Sequence, residues 1–377
     1  MSIIIGADLV PTKSNYDLFE AADIKTLFGE KLLKEIGAAD YRIFNLETPI
    51  TDIATPIKKL GPAIITPERV MPGLKALGVD LFAIANNHIL DQGEQGLNKT
   101  VELIKENGMD YIGAGENLEL AKTARIIELG GKKIGIYACT EHEFSIATEQ
   151  SGGANPFDPL ESFDHVEELK KNCDYAIVLY HGGKEHYRYP SPNIQKVCRK
   201  FIQKGANLVL CQHSHCIGCE EDYSGGKIVY GQGNFIFDVS NSECWRWGLL
   251  VKITDDLSVE YIPVKKTGNT VVLAEDEDAK TLLSDFYDRS EKIKQDGFIQ
   301  NEFKKLAKET IYPYLTALSG KTRGFCFNAM NKITGNRLIK WYAEFKYRIK
   351  RYAAKNLIEC ESIRELIIEG INGILED

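Results

Sequence analysis

The chain has 377 residues, with 46 Lys and Arg against 54 Asp and Glu, which gives a formal net charge of −8 at pH 7. Hydrophobic residues make up 44% and charged residues 27%, as is usual for a soluble globular protein of one or two domains. The negative balance argues against a nucleic-acid partner. The nine cysteines have no regular spacing, which argues against a disulfide scaffold and favours a reduced compartment.

The N-terminus leads directly into an apolar run and lacks the basic and small-residue regions of a signal peptide. No apolar run approaches the ~20 residues that span a membrane. We therefore expect a cytoplasmic protein without a signal peptide or a transmembrane segment.

Buried strands alternate with amphipathic helices in the first part of the chain, which is typical of an α/β protein. Loops are predicted at Leu9–Asn15 and, near the functional site, at Glu141–Pro159. The predicted strands are Ile3–Ile5, Tyr41–Phe44, Leu81–Ala85, Tyr111–Gly115, Ala124–Leu129, Lys133–Cys139, Asp174–Tyr180 and Asn207–Cys211. The predicted helices are Asp23–Ile36, Pro67–Gly78, Gly93–Asn107, Leu160–Asn172 and Ser191–Lys204.

The pattern changes after Cys216, where short strands follow one another without helices, and again beyond about Lys266, where the β pattern fades. We expect the short strands to form an antiparallel addition that completes a second sheet. They are Glu220–Tyr223, Lys227–Gly231, Asn234–Val239, Trp247–Ile253 and Val259–Val264. Helices are predicted at Glu275–Lys294, Gln300–Ala317, Gly335–Asn356 and Ser362–Ile374. The predicted domains are residues 1–265, which carry the site, and a helical extension at 266–377.

The predicted helix at 337–355 is basic and rich in aromatic residues. Such a helix can lie on an anionic membrane. The alternative, which we favour, is that one face packs on neighbouring elements while the acidic C-terminal segment neutralises the charge. That face consists of Leu338, Trp341, Phe345, Ile349 and Tyr352.

Side chains that are able to hold a metal follow five of the predicted strands. In an open α/β sheet, ligands bind beyond the carboxyl ends of the strands, so these side chains should converge along one edge. His213 and His215 are two residues apart, and in an extended chain both project to the same side. The strand ends therefore predict a dinuclear metal site. Its candidate residues are Asp8, Asn45, Glu47, Asn86, Asn87, His88, Asp91, His181, His213 and His215.

Other candidates are interpreted as structural. Lys58 and Lys59, in the loop at 55–66, could bind an anion, but a solvated loop is the preferred interpretation. Cys216 and Cys219 could form a separate zinc site, but no second Cys-x-x-Cys pair accompanies them. His142 and His165 stand outside any ligand-like setting.

In their order and spacing, these motifs resemble the capsule-synthesis (poly-γ-glutamate, CapA-type) family, a branch of the calcineurin-like metallophosphatase superfamily. The resemblance covers about residues 1–265. The motifs that carry it are Gly6-Ala7-Asp8, Asn45-Leu46-Glu47-Thr48-Pro49, Asn86-Asn87-His88 with Asp91 and Gly93, Gly113-Ala114-Gly115, His181-Gly182-Gly183-Lys184-Glu185, His213-Ser214-His215 and Tyr230-Gly231-Gln232-Gly233-Asn234-Phe235.

The resemblance implies a four-layer α/β/β/α sandwich, followed here by the helical extension, with one or two divalent transition metals (Zn, Mn or Fe) at the strand ends. It implies that Glu47 bridges the metals, that Asn87, His181 and His213 complete one shell, and that Asp8 and His215 serve the other. His88 would then assist the reaction as a proton donor, oriented by Asp91. One departure is Val10, because the wider superfamily has a histidine at that place.

The function that follows is a hydrolase in which metal-activated water attacks a phosphoester or a γ-glutamyl/amide bond of an anionic small molecule or polymer, in capsule or envelope metabolism. Two alternatives stay open. One is a non-hydrolytic, metal-bearing component of a machine for polymer synthesis or export, and the other is a metal-assisted proton-transfer enzyme of the epimerase type.

Overall fold

The structure is a computed structural model that describes residues 1–318 except Leu60 and Asn241, residues 325–347, and single residues between 354 and 371. It contains two compact units, Met1–Ile299 and Gln300–Asp377. Within these described residues, no helix is both long enough and apolar enough to cross a membrane.

The described residues form sixteen strands and eleven α-helices. The strands are β1 (Ile3–Val10), β2 (Tyr41–Leu46), β3 (Leu81–Ala83), β4 (Asp110–Ile112), β5 (Ala114–Gly115), β6 (Arg125–Leu129), β7 (Lys132–Thr140), β8 (Gly153–Ala154), β9 (Tyr175–His181), β10 (Leu208–Gln212), β11 (Glu220–Tyr223), β12 (Gly226–Val229), β13 (Asn234–Phe237), β14 (Trp247–Ile253), β15 (Val259–Thr267) and β16 (Thr270–Leu273). The helices are α1 (Tyr16–Glu20), α2 (Ile24–Gly37), α3 (Met71–Ala76), α4 (Gly93–Glu106), α5 (Leu118–Ala121), α6 (Ser162–Lys171), α7 (Pro192–Gln203), α8 (Asp276–Lys292), α9 (Phe298–Leu318), α10 (Phe325–Ile333) and α11 (Arg337–Tyr347).

Two sheets form the centre of the first unit. One has the order β16-β15-β14-β1-β2-β3-β4, with β13 also paired to β1, and the other has the order β11-β12-β10-β9-β7-β6. The strands β1 to β4 are mutually parallel, as are β7, β9, β10 and β12. The carboxyl ends of these strands therefore supply residues to one region.

The side chains of each central strand point alternately to the two faces of its sheet, and this explains the four layers. Ile3 and Ile5 of β1 lie in the core between the sheets, together with Ile177 of β9, whereas Ile4 faces outward. Successive strand residues point to opposite faces, so a continuously apolar strand is buried on both sides. Helices cover both outer faces: Leu27, Leu74 and Ile104 pack on the first sheet, and Val166 and Phe201 on the second. The predicted α/β/β/α sandwich with C-terminal helices is confirmed.

The predicted antiparallel addition to the second sheet is confirmed only in part. Of its five strands, β11 joins the second sheet in antiparallel orientation. Strands β14 and β15 are antiparallel as predicted but belong to the first sheet, whereas β12 pairs parallel to β10 and β13 pairs parallel to β1. The chain passes from one sheet to the other through Gly231 and Gly233, whose φ angles are 125° and 73°. Glycine adopts these left-handed values without a steric penalty, so the crossing is made in a few residues.

The first unit extends beyond residue 265, the predicted end of the domain that carries the site. Strand β16 pairs with β15, and Leu282 and Phe286 of α8 are buried in the core between the sheets. These two elements therefore belong to the first unit, not to the extension. Strand β1 also continues through Leu9 and Val10, which were predicted to be in a loop.

In the second unit, α11 buries a face other than the predicted one. Its buried residues are Ile339, Ala343 and Tyr347, whereas Trp341 and Phe345 are exposed. The prediction was based on the face with the largest aromatic residues. Periodicity alone does not show which of two apolar faces of a helix is buried. The predicted positions Ile349 and Tyr352, and most of the predicted helix Ser362–Ile374, lie outside the described residues.

Candidate metal centre

Strand ends bring the predicted ligands together. Asp8 of β1 is in register with Asn45 of β2 and with Asn234 of β13. Glu47 follows β2 directly, and His181 is the last residue of β9. Since these strands run in the same direction and are buried on both faces, their ends meet in one buried region beneath the surface.

Two groups of ligand atoms share Glu47. In the first group, Glu47, His181 and His213 place one ligand atom each within 4.8 Å of one another, and in the second group Asp8, Glu47 and His215 do so. All five residues are buried. Asn87 adjoins the first group, because its Oδ1 lies 3.0 Å from Nε2 of His181. The predicted ligand residues are therefore brought together, whereas their assignment as ligands stays a prediction.

Unsatisfied polar atoms indicate that a cation fits this position. Among the described residues, both carboxylate oxygens of Glu47 and Nδ1 of His213 are buried and have no hydrogen-bond partner. A buried polar atom without a partner costs about 1–3 kcal/mol, and more when it is charged. Carboxylate oxygen and imidazole nitrogen are ligands that Zn, Mn and Fe accept. The donor set thus suits a divalent transition metal, without selecting which one.

Each group contains a close contact between a histidine and a carboxylate. In the first group, Nε2 of His181 lies 3.3 Å from Oε1 of Glu47. In the second group, Nδ1 of His215 lies 3.3 Å from Oδ2 of Asp8 and 2.9 Å from Oδ1 of Asn234. Burial lowers the pKa of His215, but the carboxylates of Glu47 and Asp8 outweigh it and raise the pKa to about 9. Burial likewise raises the pKa of Asp8, but the contact with His215 outweighs it, so that the pKa is lowered.

The first group has the opposite electrostatics at His213. Burial lowers the pKa of His213 well below its usual value, and the neighbouring His181 and His215 lower it further. Its imidazole is consequently neutral at physiological pH. Neutral imidazole is the form that binds a metal.

The loop after β10 places its two histidines through unusual backbone angles. The φ angles of His213 and His215 are 89° and 52°, and β10 ends before them at Gln212. The prediction that both histidines point to one side of an extended strand is therefore wrong, although both reach the centre. A left-handed non-glycine residue costs on the order of 1–3 kcal/mol, and such strain concentrates at functional sites.

Val10 is the position at which this sequence departs from the pattern that the resemblance implies. Its side chain is buried in an apolar cluster with Phe237 and Trp245. The indole of Trp245 also packs against the ring of His215, with 4.5 Å between the ring centroids. An apolar side chain thus fills that place, and Val10 offers no donor to the second group.

His88 and Asp91 form a dyad beside the first group. Nδ1 of His88 lies 2.6 Å from Oδ2 of Asp91, an oxygen that also accepts a hydrogen bond of 2.6 Å from the backbone N–H of Ile64. With Nδ1 engaged in this way, Nε2 is the ring nitrogen that remains for a ligand. The geometry suits a general acid or base whose ring is held by a carboxylate.

Lys59 completes this dyad, and the interpretation of Lys59 as part of a solvated loop is wrong. Its side chain is only 4% exposed, and its Nζ lies 2.5 Å from Oδ1 of Asp91 and 3.3 Å from the carbonyl oxygen of Asn87. The ammonium group also lies 5.4 Å from the ring centroid of Phe144. A buried ammonium group requires such partners, so the fold draws the loop inward. No sequence signal distinguished Lys59 from Lys58.

A cavity of about 690 Å³ opens in front of the centre. Asn87, His88, His215 and Lys59 are among its lining residues. The apolar residues of the lining, here called the wall, are Pro62, Ile64, Phe144, Phe237, Val239 and Trp245. Its exposed polar residues, here called the rim, include His142, Glu143 and Glu185. Residues 142–144 come from the loop predicted to lie near the site. His142 lines the cavity, so its interpretation as a residue outside any ligand-like setting is wrong.

The two remaining sequence candidates lie elsewhere. Cys216 and Cys219 are buried free cysteines outside the two ligand groups that the described residues form. The ring of His165 lies beside that of Tyr137, tilted by 51° with 5.9 Å between the centroids, and does not line the cavity.

Comparison with known proteins identifies the family. The family model described as bacterial capsule synthesis protein PGA_cap matches residues 2–239. Capsule biosynthesis protein CapA of Bacillus anthracis is 30% identical over 177 residues, which cover 45% of this chain and 43% of that protein. PGA biosynthesis protein CapA of Bacillus subtilis is 29% identical over 206 residues, covering 53% of this chain and 54% of that protein. The chain thus spans about half the length of the curated relatives it matches.

Among solved structures, a novel phosphatase from Mycoplasma pneumoniae is similar with a TM-score of 0.41 and 17% sequence identity. The match covers 71% of this chain and 94% of the phosphatase.

Proposed function

This chain belongs to the bacterial capsule synthesis protein family, and from that membership and the geometry of the centre we propose that it is a metal-dependent hydrolase. The observation that carries the proposal is the buried carboxylate of Glu47, which is shared by two ligand groups and has neither oxygen hydrogen-bonded. A purely structural metal would need no neighbouring proton donor. The dyad of His88 and Asp91 beside the ligands therefore favours a reaction over a structural role.

The ligand residues and the dyad have separate tasks in this proposal. Glu47, Asn87, His181 and His213 would hold one metal, and Asp8, Glu47 and His215 would hold a second. A bound divalent metal would supply a water of lowered pKa and polarise an oxygen of the substrate. His88 carries the proton at Nε2 for the leaving group. Asp91 fixes the ring of His88.

Lys59 is a positioning residue for that dyad. It engages one oxygen of Asp91 while the Ile64 N–H engages the other. Both oxygens are thereby held, and the carboxylate cannot rotate away from His88. The orientation of His88 should strongly affect the reaction rate, because a misplacement of about 1 Å lowers the rate on the order of a hundredfold.

The cavity narrows the class of substrate. The scissile group is a phosphoester, whose anionic oxygen faces the ligands, or a γ-glutamyl/amide bond, whose carbonyl oxygen does so. The apolar wall of Phe144, Val239 and Trp245 accommodates an uncharged part of the same molecule. Glu143 and Glu185 at the rim repel further negative charges close to the scissile bond.

The test compares His88→Asn with wild type after both are loaded with Zn, Mn or Fe. Metal content is measured together with hydrolysis of aryl phosphates and of γ-glutamyl anilides. We expect His88→Asn to keep its metal and to lose about 10²–10⁴-fold in kcat/KM, the usual contribution of a general acid. The matched control is His165→Asn, since His165 lies outside the cavity and should keep full activity.

Two results would contradict the proposal. Full turnover by His88→Asn would remove the proton-donor role of His88. A fully loaded wild-type protein that hydrolyses neither class of substrate would instead favour the non-hydrolytic polymer-machine component or the proton-transfer enzyme.

A further inference from the structure

Helix α11 carries apolar side chains on two opposite faces. One face is buried through Ile339, Ala343 and Tyr347. At about 100° per residue, Trp341 and Phe345 lie on the side opposite to these three. Trp341 is 61% exposed and Phe345 is 69% exposed, and their rings stack at 5.7 Å with an interplanar angle of 11°. The two rings form one continuous aromatic surface, the Trp341–Phe345 face.

Basic residues outnumber acidic ones on the exposed surface of α11. Arg337, Lys340 and Lys346 are exposed, and so is the one acid of the helix, Glu344, whose Oε1 accepts a hydrogen bond from the hydroxyl of Tyr312. The segment 300–355 contains thirteen Lys and Arg against three acids, a net charge of +10 in a chain whose total is −8. Residues 1–299 have a net charge of −13, and residues 356–377 have a net charge of −5. Positive charge is thus concentrated in the segment that exposes the aromatic rings.

We propose that the Trp341–Phe345 face docks this protein on a bilayer surface that contains anionic lipids. Tryptophan and other amphipathic side chains are enriched at the boundary between headgroups and acyl chains, where the rings are partly buried. Lysine and arginine beside the rings are attracted by the negative surface potential of phosphatidylserine-type or phosphatidylglycerol-type headgroups. The helix lies in the plane of the interface and does not span the membrane.

Charge favours this occupant over a second copy of the chain. Self-association through the Trp341–Phe345 face would bring two strongly basic segments together, and like charges in contact oppose association. A bilayer offers the opposite charge along with an apolar layer for the rings. The proposal is independent of the hydrolase function, since it concerns a surface of the second unit alone.

The test is flotation of the full chain with lipid vesicles. One set contains equal parts of phosphatidylcholine and phosphatidylglycerol, and the other contains phosphatidylcholine alone. We expect wild type to bind the anionic vesicles at least about tenfold more tightly than the neutral ones. Binding should fall at 1 M salt, where the Debye length is about 3 Å instead of about 10 Å at 0.1 M.

Variants separate the aromatic and the basic contributions. The double variant Trp341→Ser/Phe345→Ser should bind anionic vesicles about tenfold more weakly, because it removes the inserted rings. Lys340→Gln/Lys346→Gln should weaken binding and reduce its salt dependence. The matched control is Leu160→Ser, which removes a large exposed apolar side chain of the first unit and should bind as wild type does. Circular dichroism verifies that each variant is folded.

Four outcomes would overturn the proposal. Wild type could fail to bind the anionic vesicles, or bind neutral vesicles equally well. The folded Trp341→Ser/Phe345→Ser variant could bind like wild type. Light scattering could show a wild-type dimer that this variant converts to a monomer, which would identify a second copy as the occupant.

Discussion

The two ligand groups of the centre share Glu47 and similar chemistry, but they differ in charge. Glu47, His181 and His213 leave three buried atoms unsatisfied, and the imidazole of His213 is held neutral. Asp8 and His215 satisfy each other in the second group, where His215 holds a proton with a pKa of about 9. The first group offers a neutral imidazole and a carboxylate without hydrogen bonds, whereas the raised pKa of His215 favours its protonated form beside Asp8 in the second group.

The difference shows that ligand identity alone does not determine affinity. A metal at the second group must displace the proton of His215, while one at the first group displaces nothing from His213. Val10 adds to the contrast, because it contributes an apolar side chain where a further donor would strengthen the second group. We therefore expect the first group to fill before the second.

The largest effect is expected for Glu47→Gln, because this change removes the ligand common to both groups. The amide keeps the volume of the side chain but provides a neutral, weaker donor. Both metal equivalents should be lost, and hydrolysis should fall on the order of a thousandfold. Metal content by mass spectrometry and kcat/KM measure the two effects.

Thermal unfolding supplies the control for Glu47→Gln. A ligand that binds only the folded state raises Tm, so metal should stabilise wild type and leave the variant unchanged. Without metal, a variant whose Tm lies close to that of wild type verifies that the loss of metal binding does not come from unfolding. A variant that still gains stability from metal would show that the groups do not depend on Glu47.

Much of the fold and of the centre could be predicted from local patterns. Continuous apolar runs indicated strands buried on both faces, and polar residues at their ends, such as Glu47 and His181, identified the edge where ligands bind. Both inferences depend only on periodicity and on the parallel arrangement of the strands.

What could not be predicted depends on contacts between distant segments. Lys59 looked solvated because its partner Asp91 is 32 residues away. The strands after Cys216 were predicted to form one sheet, because the local sequence of a strand does not show which distant strand it pairs with. The change of sheet at Gly231 and Gly233 was therefore not predicted. Trp247–Ile253 was found as a strand, but its partner Ile3–Ile5 lies at the other end of the unit.

The next largest effect is expected when one histidine of each group is replaced in turn. His213→Ala should lower the affinity for the first metal equivalent by more than about a hundredfold, since a direct ligand is lost. His215→Ala should leave that equivalent intact and remove only the weaker one. Isothermal titration calorimetry with Mn²⁺ measures the affinity of each metal equivalent. Equal losses in both variants would mean that the centre behaves as one cooperative site.

The smallest effect is a pH dependence confined to the second group. The ordinary pKa values are 6.5 for His215 and 3.8 for Asp8, and the folded protein raises the first to about 9 and lowers the second. In the metal-free protein, the raised pKa of His215 stabilises the fold fully below pH 6.5, and this contribution disappears as the pH rises through about 9. The lowered pKa of Asp8 stabilises the fold above pH 3.8, and that contribution is lost on acidification.

The proton on His215 stabilises the metal-free fold but opposes metal binding to the second group. Between pH 7 and 9, the affinity of the second Mn²⁺ should rise about tenfold per pH unit, because fewer protons must be displaced from His215. The ligand His213 of the first group is already neutral in this range and adds no such dependence. Calorimetry in buffers of different ionisation enthalpy counts the released protons: one for the second equivalent at pH 7, and about half as many near pH 9. Equal proton release at both pH values would show that His215 does not hold the proton on which the contrast between the two groups depends.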